Sequence, residues 1–232
     1  MHRDSLNTYA RLAGLSYVTF TLCGVVRNFF LNTKLHGLED VQGKGLFVNE
    51  LQYRLGIGLE TLMFVATLLA SFALYEVMKA VNPRRSLLAL CFRLCEVIVG
   101  SMAVVASLFM LSLATKAQQS AAFNTEQLAA FLTHVSSLRV PAFEYSWIFM
   151  GIAGLVTFHL FYQARLMPRW LSAWGLFTYA GLIAYPMAKM LVPDLPKQVM
   201  WVIYPGALCE LVIGAWLMVK GVAAPAAGRV GS

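Results

Sequence analysis

Charged residues are scarce in this chain. Asp, Glu, Lys and Arg make up only 12% of its 232 residues, whereas hydrophobic residues make up 59% and the mean hydropathy is +0.67. Soluble globular domains carry about 25% charged residues, so this composition excludes that class. The net charge of +7 does not indicate nucleic-acid binding, because Lys and Arg cluster at the ends of apolar runs, where they set membrane orientation. The composition therefore predicts an integral membrane protein.

Motifs of known catalytic and cofactor sites are also missing. The chain has no zinc-protease H-E-x-x-H pattern, no G-x-S-x-G nucleophile elbow and no phosphate-binding Walker loop. His159 is the only histidine inside an apolar span, which excludes a haem held by two histidines within the bundle. The last apolar span has no lysine near its middle, which argues against a retinal Schiff base. Whether the protein is an enzyme stays open at this stage.

Cysteine is rare and does not indicate a disulfide framework, because every cysteine lies inside an apolar span. Cys91 and Cys95 are one helical turn apart, and together with His159 they could supply thiolate and imidazole ligands to zinc. Cysteine is equally an ordinary small apolar residue of buried helices. No metal or other cofactor is assigned from these residues. The four cysteines are Cys23, Cys91, Cys95 and Cys209.

Long apolar runs are what the chain does contain. Each run is long enough to cross a hydrocarbon core of about 30 Å at 1.5 Å per residue. They predict an all-α fold: a single transmembrane domain of six helices over residues 1–222, followed by a disordered cytoplasmic tail over residues 223–232. The predicted spans are Ala10–Leu31, Arg54–Val77, Leu87–Ala114, Tyr145–Ala164, Trp170–Val192 and Val199–Val219.

The polar segment Thr115–Glu144, between the third and fourth spans, has helical features of its own. Asn124 and Gln127 have the spacing of a capping box. Pro141 is expected to end this helix. The segment therefore predicts an extra interfacial helix that lies on the membrane surface or covers the bundle. Its apolar face consists of Leu128, Phe131, Leu132, Val135 and Leu138.

Two charged residues, Arg93 and Glu96, lie inside the third span. A charge near the centre of a membrane helix costs roughly 2.5–3.5 kcal/mol on insertion scales, so both must be satisfied by each other or by other helices. Counting residues along the helices places Glu210 and His159 at a similar depth. We take these residues as candidates for ligand binding or another function: Arg93, Glu96, His159 and Glu210.

A second polar layer is predicted nearer the opposite membrane face. Arg27 and Glu60 fall at matching depths on the first two helices, which favours a structural ion pair between them. Lys189 could join the layer from the fifth span. The residues assigned to this layer are Arg27, Arg54, Glu60 and Glu144.

Several stretches resemble one family of bacterial membrane proteins. They read ELQYRLGIGLETLMF, FALYEVMKAVNPRRSLLALCFRLCEVIVG, LMPRWLSAWGLFTYAGLIAY and PGALCELVIGAWLMVKGV. In this order they resemble the family catalogued as domain of unknown function 4386, over roughly Ala10–Val222. The resemblance implies a six-helix protein and supplies no reaction. Its polar positions match Arg54, Glu60, Arg93, Glu96, Pro168 and Glu210.

Orientation follows from the two short basic turns, Lys79–Arg85 and Arg165–Arg169. Positively charged short loops stay in the cytoplasm, so both termini are expected there. With the bacterial resemblance, the expected location is the inner membrane. The lipid bilayer is then the first partner, and no nucleic-acid partner is expected.

The favoured interpretation is a buried polar pocket that binds a small or lipophilic ligand, in order to sense or carry it. Three alternatives stay open. The chain could be an intramembrane lipid-modifying or metal-dependent enzyme that uses Glu96, Glu210 and His159. It could be a proton-coupled transporter that uses the same acids, or a structural subunit of a larger membrane complex. Membrane-protein partners and a homo-oligomer are compatible with each of these interpretations.

Overall fold

A computed structural model describes residues 3–31, 48–117, 125–192 and 194–223. Every regular element in these ranges is helical, so the all-α prediction is confirmed. The α-helices are α1 (Arg3–Phe30), α2 (Glu50–Met78), α3 (Pro83–Ala117), α4 (Thr125–Ala164), α5 (Arg169–Leu191) and α6 (Tyr204–Lys220), and a 3-10 helix (Lys197–Val202) precedes α6.

Local sequence explains several helix ends. The side chain of Asn49 accepts a hydrogen bond of 3.0 Å from the backbone N–H of Gln52, which caps the start of α2. The side chain of Asn82 likewise accepts a hydrogen bond from the backbone N–H of Arg85, at the start of α3. Gly221 follows α6 with a φ of 67°, a left-handed conformation that glycine adopts without steric cost.

The helices form a ring in chain order. Each α-helix packs against the helices before and after it, and α6 returns to pack against α1. Short turns join α2 to α3 and α4 to α5, which makes those neighbours antiparallel. The ring therefore encloses one central space that all six helices face.

Glycines allow the closest helix contacts. A Cβ atom added to Gly14 of α1 would lie 2.6 Å from the backbone oxygen of Gly214 on α6. The two helices that close the ring thus approach nearly backbone to backbone, as small residues permit in membrane bundles. α4 and α5 are similarly close, because a Cβ atom added to Gly151 of α4 would lie 2.8 Å from the backbone oxygen of Tyr179 on α5.

Five described helical segments are long and apolar enough to cross a membrane: Ser5–Phe30, Glu50–Met78, Pro83–Leu113, Ala130–Ala164 and Gln198–Lys220. This finding supports a multi-pass membrane protein. The predicted fifth span, now α5, is not among them, because Trp170, Trp174, Tyr179 and Tyr185 reduce its apolar character. Length and composition therefore support five membrane spans among the described residues and do not establish the predicted six.

Over residues 125–144, the part of the predicted interfacial helix that α4 covers, the chain is continuous with the fourth span, and the prediction that Pro141 ends a helix is wrong. Pro141 lies inside α4, which runs unbroken for 40 residues. A proline removes one backbone donor, but packing against neighbouring helices compensates for this loss in membrane bundles. Leu132, on the predicted apolar face, is fully buried in the bundle rather than lying on its surface. Asn124 and residues 224–232 lie outside the described ranges, as does the side chain of Leu128.

Candidate functional site

A buried ion pair lies near the middle of α3. Arg93 Nη1 donates a hydrogen bond of 2.9 Å to Glu96 Oε2, and the two residues are one turn apart on the same helix. Their exposures are only 5% and 6%. Arg93 Nη2 also donates to the hydroxyls of Tyr17 at 3.3 Å and Tyr179 at 3.2 Å. The guanidinium is therefore shared between α3, α1 and α5.

Tyr179 connects this pair to the carboxylate of Glu210. Its hydroxyl donates to Glu210 Oε1 at 3.0 Å, while Thr21 donates to Glu210 Oε2, also at 3.0 Å. Both oxygens of Glu210 are thus hydrogen-bonded. Burial without such partners would cost roughly 1–3 kcal/mol per polar group. We call these residues the central cluster: Tyr17, Thr21, Arg93, Glu96, Tyr179 and Glu210.

Tight packing fixes the position of Tyr179. Its ring lies against Gly154 of α4, where a side chain would collide with it. The ring also stacks on Phe158, with centroids 5.3 Å apart and an interplanar angle of 21°. Tyr179 is fully buried as a result. The hydroxyl that joins Arg93 to Glu210 is therefore held in place by α4 and α5 together.

A cavity of about 220 Å³ lies beside the central cluster, inside the ring. It extends from Phe29 and Tyr204, which are exposed at one end of the bundle, to Glu96 and Glu210 in its middle. Most of its wall is apolar. The aromatic lining residues are Phe20, Phe29, Phe64, Phe143, Trp147 and Tyr204.

A second group of charges surrounds Glu60 of α2. Arg27 Nε of α1 lies 2.6 Å from Glu60 Oε1, so the pairing expected from depth is present. Arg139 of α4 contacts the same carboxylate oxygen. We call Arg27, Glu60 and Arg139 the Glu60 cluster. None of its residues lines the cavity, and it ties α1, α2 and α4 together.

The other residues predicted for the second layer are placed elsewhere. Arg54 does not join a buried layer, because its half-exposed side chain pairs with Glu50 one turn earlier on α2, at 2.6 Å. Glu144 is buried and contacts Lys189 Nζ at 2.6 Å, which joins α4 to α5. The residues predicted to form one layer therefore belong to three separate ion-pair contacts, around Glu60, Glu50 and Glu144.

His159 is not brought into the central cluster. Its side chain is exposed on the outer surface of α4. Cys91 and Cys95 are also exposed, on α3. Within the described ranges, no group of three or more histidine, cysteine or acidic residues could hold a metal ion. The two cysteines therefore lie on α3 and His159 lies on α4, and all three side chains are exposed.

Sequence reasoning did not assign roles to Tyr17, Thr21, Tyr179 or Arg139. Tyr17 and Thr21 are one turn apart on α1, a spacing that gives them one face, but hydroxyls at that spacing are common in membrane helices. Arg139 was placed in the supposed interfacial helix, where a charge needs no partner. Only the ring order of the helices identifies what these side chains contact.

A ring of long apolar helices around buried charges defines a multi-pass helical membrane protein. A family model described as a domain of unknown function (DUF4386) matches residues 12–221, nearly the whole chain. The chain belongs to this family, so the resemblance noted in the sequence is confirmed. No curated protein and no solved structure matches the chain.

Proposed function

We propose that this chain is a six-span protein of the bacterial inner membrane that binds a small lipophilic ligand inside its helical ring. The sixth span would be α5. Its 23 residues extend about 34 Å at 1.5 Å per residue, enough to cross a bilayer. Its packing between α4 and α6, both of which belong to segments long and apolar enough to cross, supports this assignment. One ring with one shared interior also supports a single domain over residues 1–222.

Charge at one end of the ring supports cytoplasmic termini. Arg84, Arg85 and Arg169 lie in or beside the two short turns, and Lys220 ends α6 at the same end. Lys79 Nζ donates a 2.7 Å hydrogen bond to Glu76, which holds the pKa of Lys79 above its usual value and keeps it charged. Such short basic segments stay cytoplasmic.

Reporter fusions in the Lys79–Asn82 turn test this orientation. A reporter that is active only in the cytoplasm should be active there, and a periplasmic reporter should be silent. The reverse result would overturn the orientation and, with it, the expectation that the cavity opens away from the cytoplasm.

The observation that carries the ligand proposal is the position of the two buried acids in the cavity wall. A purely structural ion pair is best enclosed by protein, where its desolvation is compensated by hydrogen bonds. Glu96 and Glu210 instead border an open space of about 220 Å³ whose remaining wall is mainly apolar. Apolar walls with a few convergent polar groups are the usual form of a small-molecule site.

Filling the cavity tests this proposal. Ala207 lines the cavity on α6, so Ala207→Phe should exclude the ligand. Leu208 on the same helix is exposed to the bilayer side and does not line the cavity, so Leu208→Phe is the control. Mass spectrometry of lipophilic molecules that co-purify with each variant should show a species lost only in Ala207→Phe. Equal retention in both variants would contradict binding in this cavity.

A structural role is the second candidate, and one observation favours it. The central cluster joins α1, α3, α5 and α6 by hydrogen bonds between side chains. Those bonds would hold these four helices of the ring together. The cluster would then act as scaffolding for a subunit that packs against other membrane proteins.

A further inference from the structure

The central cluster contains more acids than cations. The cluster contains one guanidinium, that of Arg93, and two carboxylates, those of Glu96 and Glu210. Arg93 itself does not line the cavity, whereas both acids do. Among the described residues, the lining includes no lysine, arginine or histidine. A molecule inside the cavity therefore meets acids at its inner end and no cation.

The two acids differ in their free hydrogen-bonding capacity. Tyr179 and Thr21 occupy both oxygens of Glu210. Glu96 uses Oε2 for Arg93, and no described residue donates a hydrogen bond to its Oε1. Since Glu96 borders the cavity, Oε1 is the available acceptor there, while Glu210 adds negative potential beside it.

Thr178 adds a second polar side chain to the lining. Its Oγ1 is buried, and its nearest polar neighbour is the Cys209 thiol, a weak hydrogen-bonding group. A small rotation of this side chain would offer a hydroxyl to a ligand in the cavity.

The rest of the wall suits the same kind of ligand. Phe20, Phe64, Phe143 and Trp147 present aromatic surface to the cavity. Aromatic rings accept the apolar body of a ligand and also attract cations through their electron-rich faces. An anion would enter a lining that holds two acids and no cation, and a neutral molecule would add no positive charge beside those acids.

We propose that the cavity binds a lipophilic cation, such as an aromatic or amphipathic amine, with its positive group at Glu96 and its apolar body among the aromatic rings. This inference rests on the proposed function, because it specifies the ligand class of the same cavity. The cationic group adds a second positive charge beside the two acids of the cluster, which favours their ionised forms and strengthens binding.

A pair of isosteric probes separates the charge of a ligand from its shape. Benzyltrimethylammonium and neopentylbenzene differ only in a charged nitrogen in place of a carbon, and 3-phenylpropionate supplies an anionic comparison. Binding to the purified wild-type protein in detergent is followed by calorimetric titration, with protein-free micelles as the blank. The cation should bind at least about tenfold more tightly than the neutral isostere, because its quaternary nitrogen is attracted to the acids through space although it donates no hydrogen bond. The anion should not bind.

Variants then locate the contact. Glu96→Gln should weaken binding of the cation about tenfold and leave that of the neutral isostere unchanged. Glu50→Gln is the matched control, because Glu50 is an exposed acid outside the cavity. Should Glu96→Gln fail to fold, the wild-type comparison of the isosteres still decides the question.

The outcomes separate this inference from the proposed function. Equal or tighter binding of neopentylbenzene would overturn the cationic ligand and retain the lipophilic one. No binding of any probe would overturn both proposals. Unchanged cation binding in Glu96→Gln would overturn the assignment of Glu96 as the contact.

Discussion

The two buried charge clusters have opposite compositions and different surroundings. In the central cluster one arginine faces two acids, and both acids border the cavity. In the Glu60 cluster two arginines share one acid, and none of these residues borders the cavity. Burying charge is costly in either place, so each cluster must serve a purpose that offsets the cost.

The difference lies in what each cluster can still bind. Glu60 already contacts cations from both α1 and α4, so it acts as a clamp between helices. The central cluster also joins helices, yet it leaves an acidic oxygen facing an open space. Stability should therefore depend on both clusters, whereas ligand binding should depend only on the central one.

The largest expected effect comes from removing the only cation of the central cluster. Arg93→Met leaves Glu96 and Glu210 buried with no cation beside them, so the free energy of unfolding should fall by about 3–5 kcal/mol. Thermal unfolding in detergent, followed by circular dichroism, measures the loss.

Neutralising the whole central cluster should reverse that loss. Adding Glu96→Gln and Glu210→Gln to Arg93→Met removes the unpaired charges, and neutral replacements of a complete buried network are often tolerated. The triple variant should fold well but lose binding of the cationic probe. If it folds and also retains binding, the central cluster is scaffolding only.

Next in size is the loss of Glu60. Glu60→Gln leaves Arg27 and Arg139 close together without an acid, and should lower the free energy of unfolding by about 2 kcal/mol. Arg27→Gln and Arg139→Gln each retain one pair, so each should cost about half as much. Ligand binding should be unchanged in all three. If Glu60→Gln folds normally but no longer binds the cationic probe, ligand binding does not depend on the central cluster alone.

The level of a residue along its helix could be predicted from the sequence, because helical rise converts residue number into distance. Depth alone predicts the pairing of Arg27 with Glu60, and the structure has these residues 2.6 Å apart. The all-helical fold and most of the spans could be predicted as well, from the lengths of the apolar runs. The family resemblance adds no contact.

The direction in which a residue faces could not be predicted equally well. A membrane helix is apolar nearly all round, so its sequence has little amphipathic signal to show which side is buried. His159 has a suitable depth for the central cluster but is exposed on α4. Tyr179 has the suitable direction, yet only its contact with Gly154 and the ring order place its hydroxyl between Arg93 and Glu210.

Arg139 was missed for a different reason. Pro141 and the polar residues before it indicated a separate surface helix, whereas α4 continues through the proline. The continuous helix carries Arg139 to the carboxylate of Glu60 on α2. Local sequence cannot show this, because a proline ends most helices of soluble proteins and is tolerated inside many membrane helices.

A smaller effect is expected from the hydroxyl that bridges the central cluster. Tyr179→Phe keeps the ring packed against Phe158 and removes the hydrogen bonds to Arg93 and Glu210, so unfolding should become easier by about 1 kcal/mol. Tyr162→Phe, on the exposed surface of α4, is the control and should change little. A Tyr179→Phe variant as stable as the wild type would show that this hydroxyl contributes no stability by bridging Arg93 and Glu210.

The smallest effect should come from Arg54, which the sequence placed in a buried layer and the structure places at the surface. Its pair with Glu50 is half exposed on both sides, and exposed ion pairs contribute about 0–1 kcal/mol. Arg54→Gln should therefore change the free energy of unfolding by less than about 0.5 kcal/mol. The thermal midpoint at low and high salt measures this, and Glu50→Gln should give the same small change. A loss as large as that of Arg27→Gln would mean that Arg54 contributes to stability as a buried charge does. The Glu60 cluster would then have to be redefined with Arg54 as its third arginine.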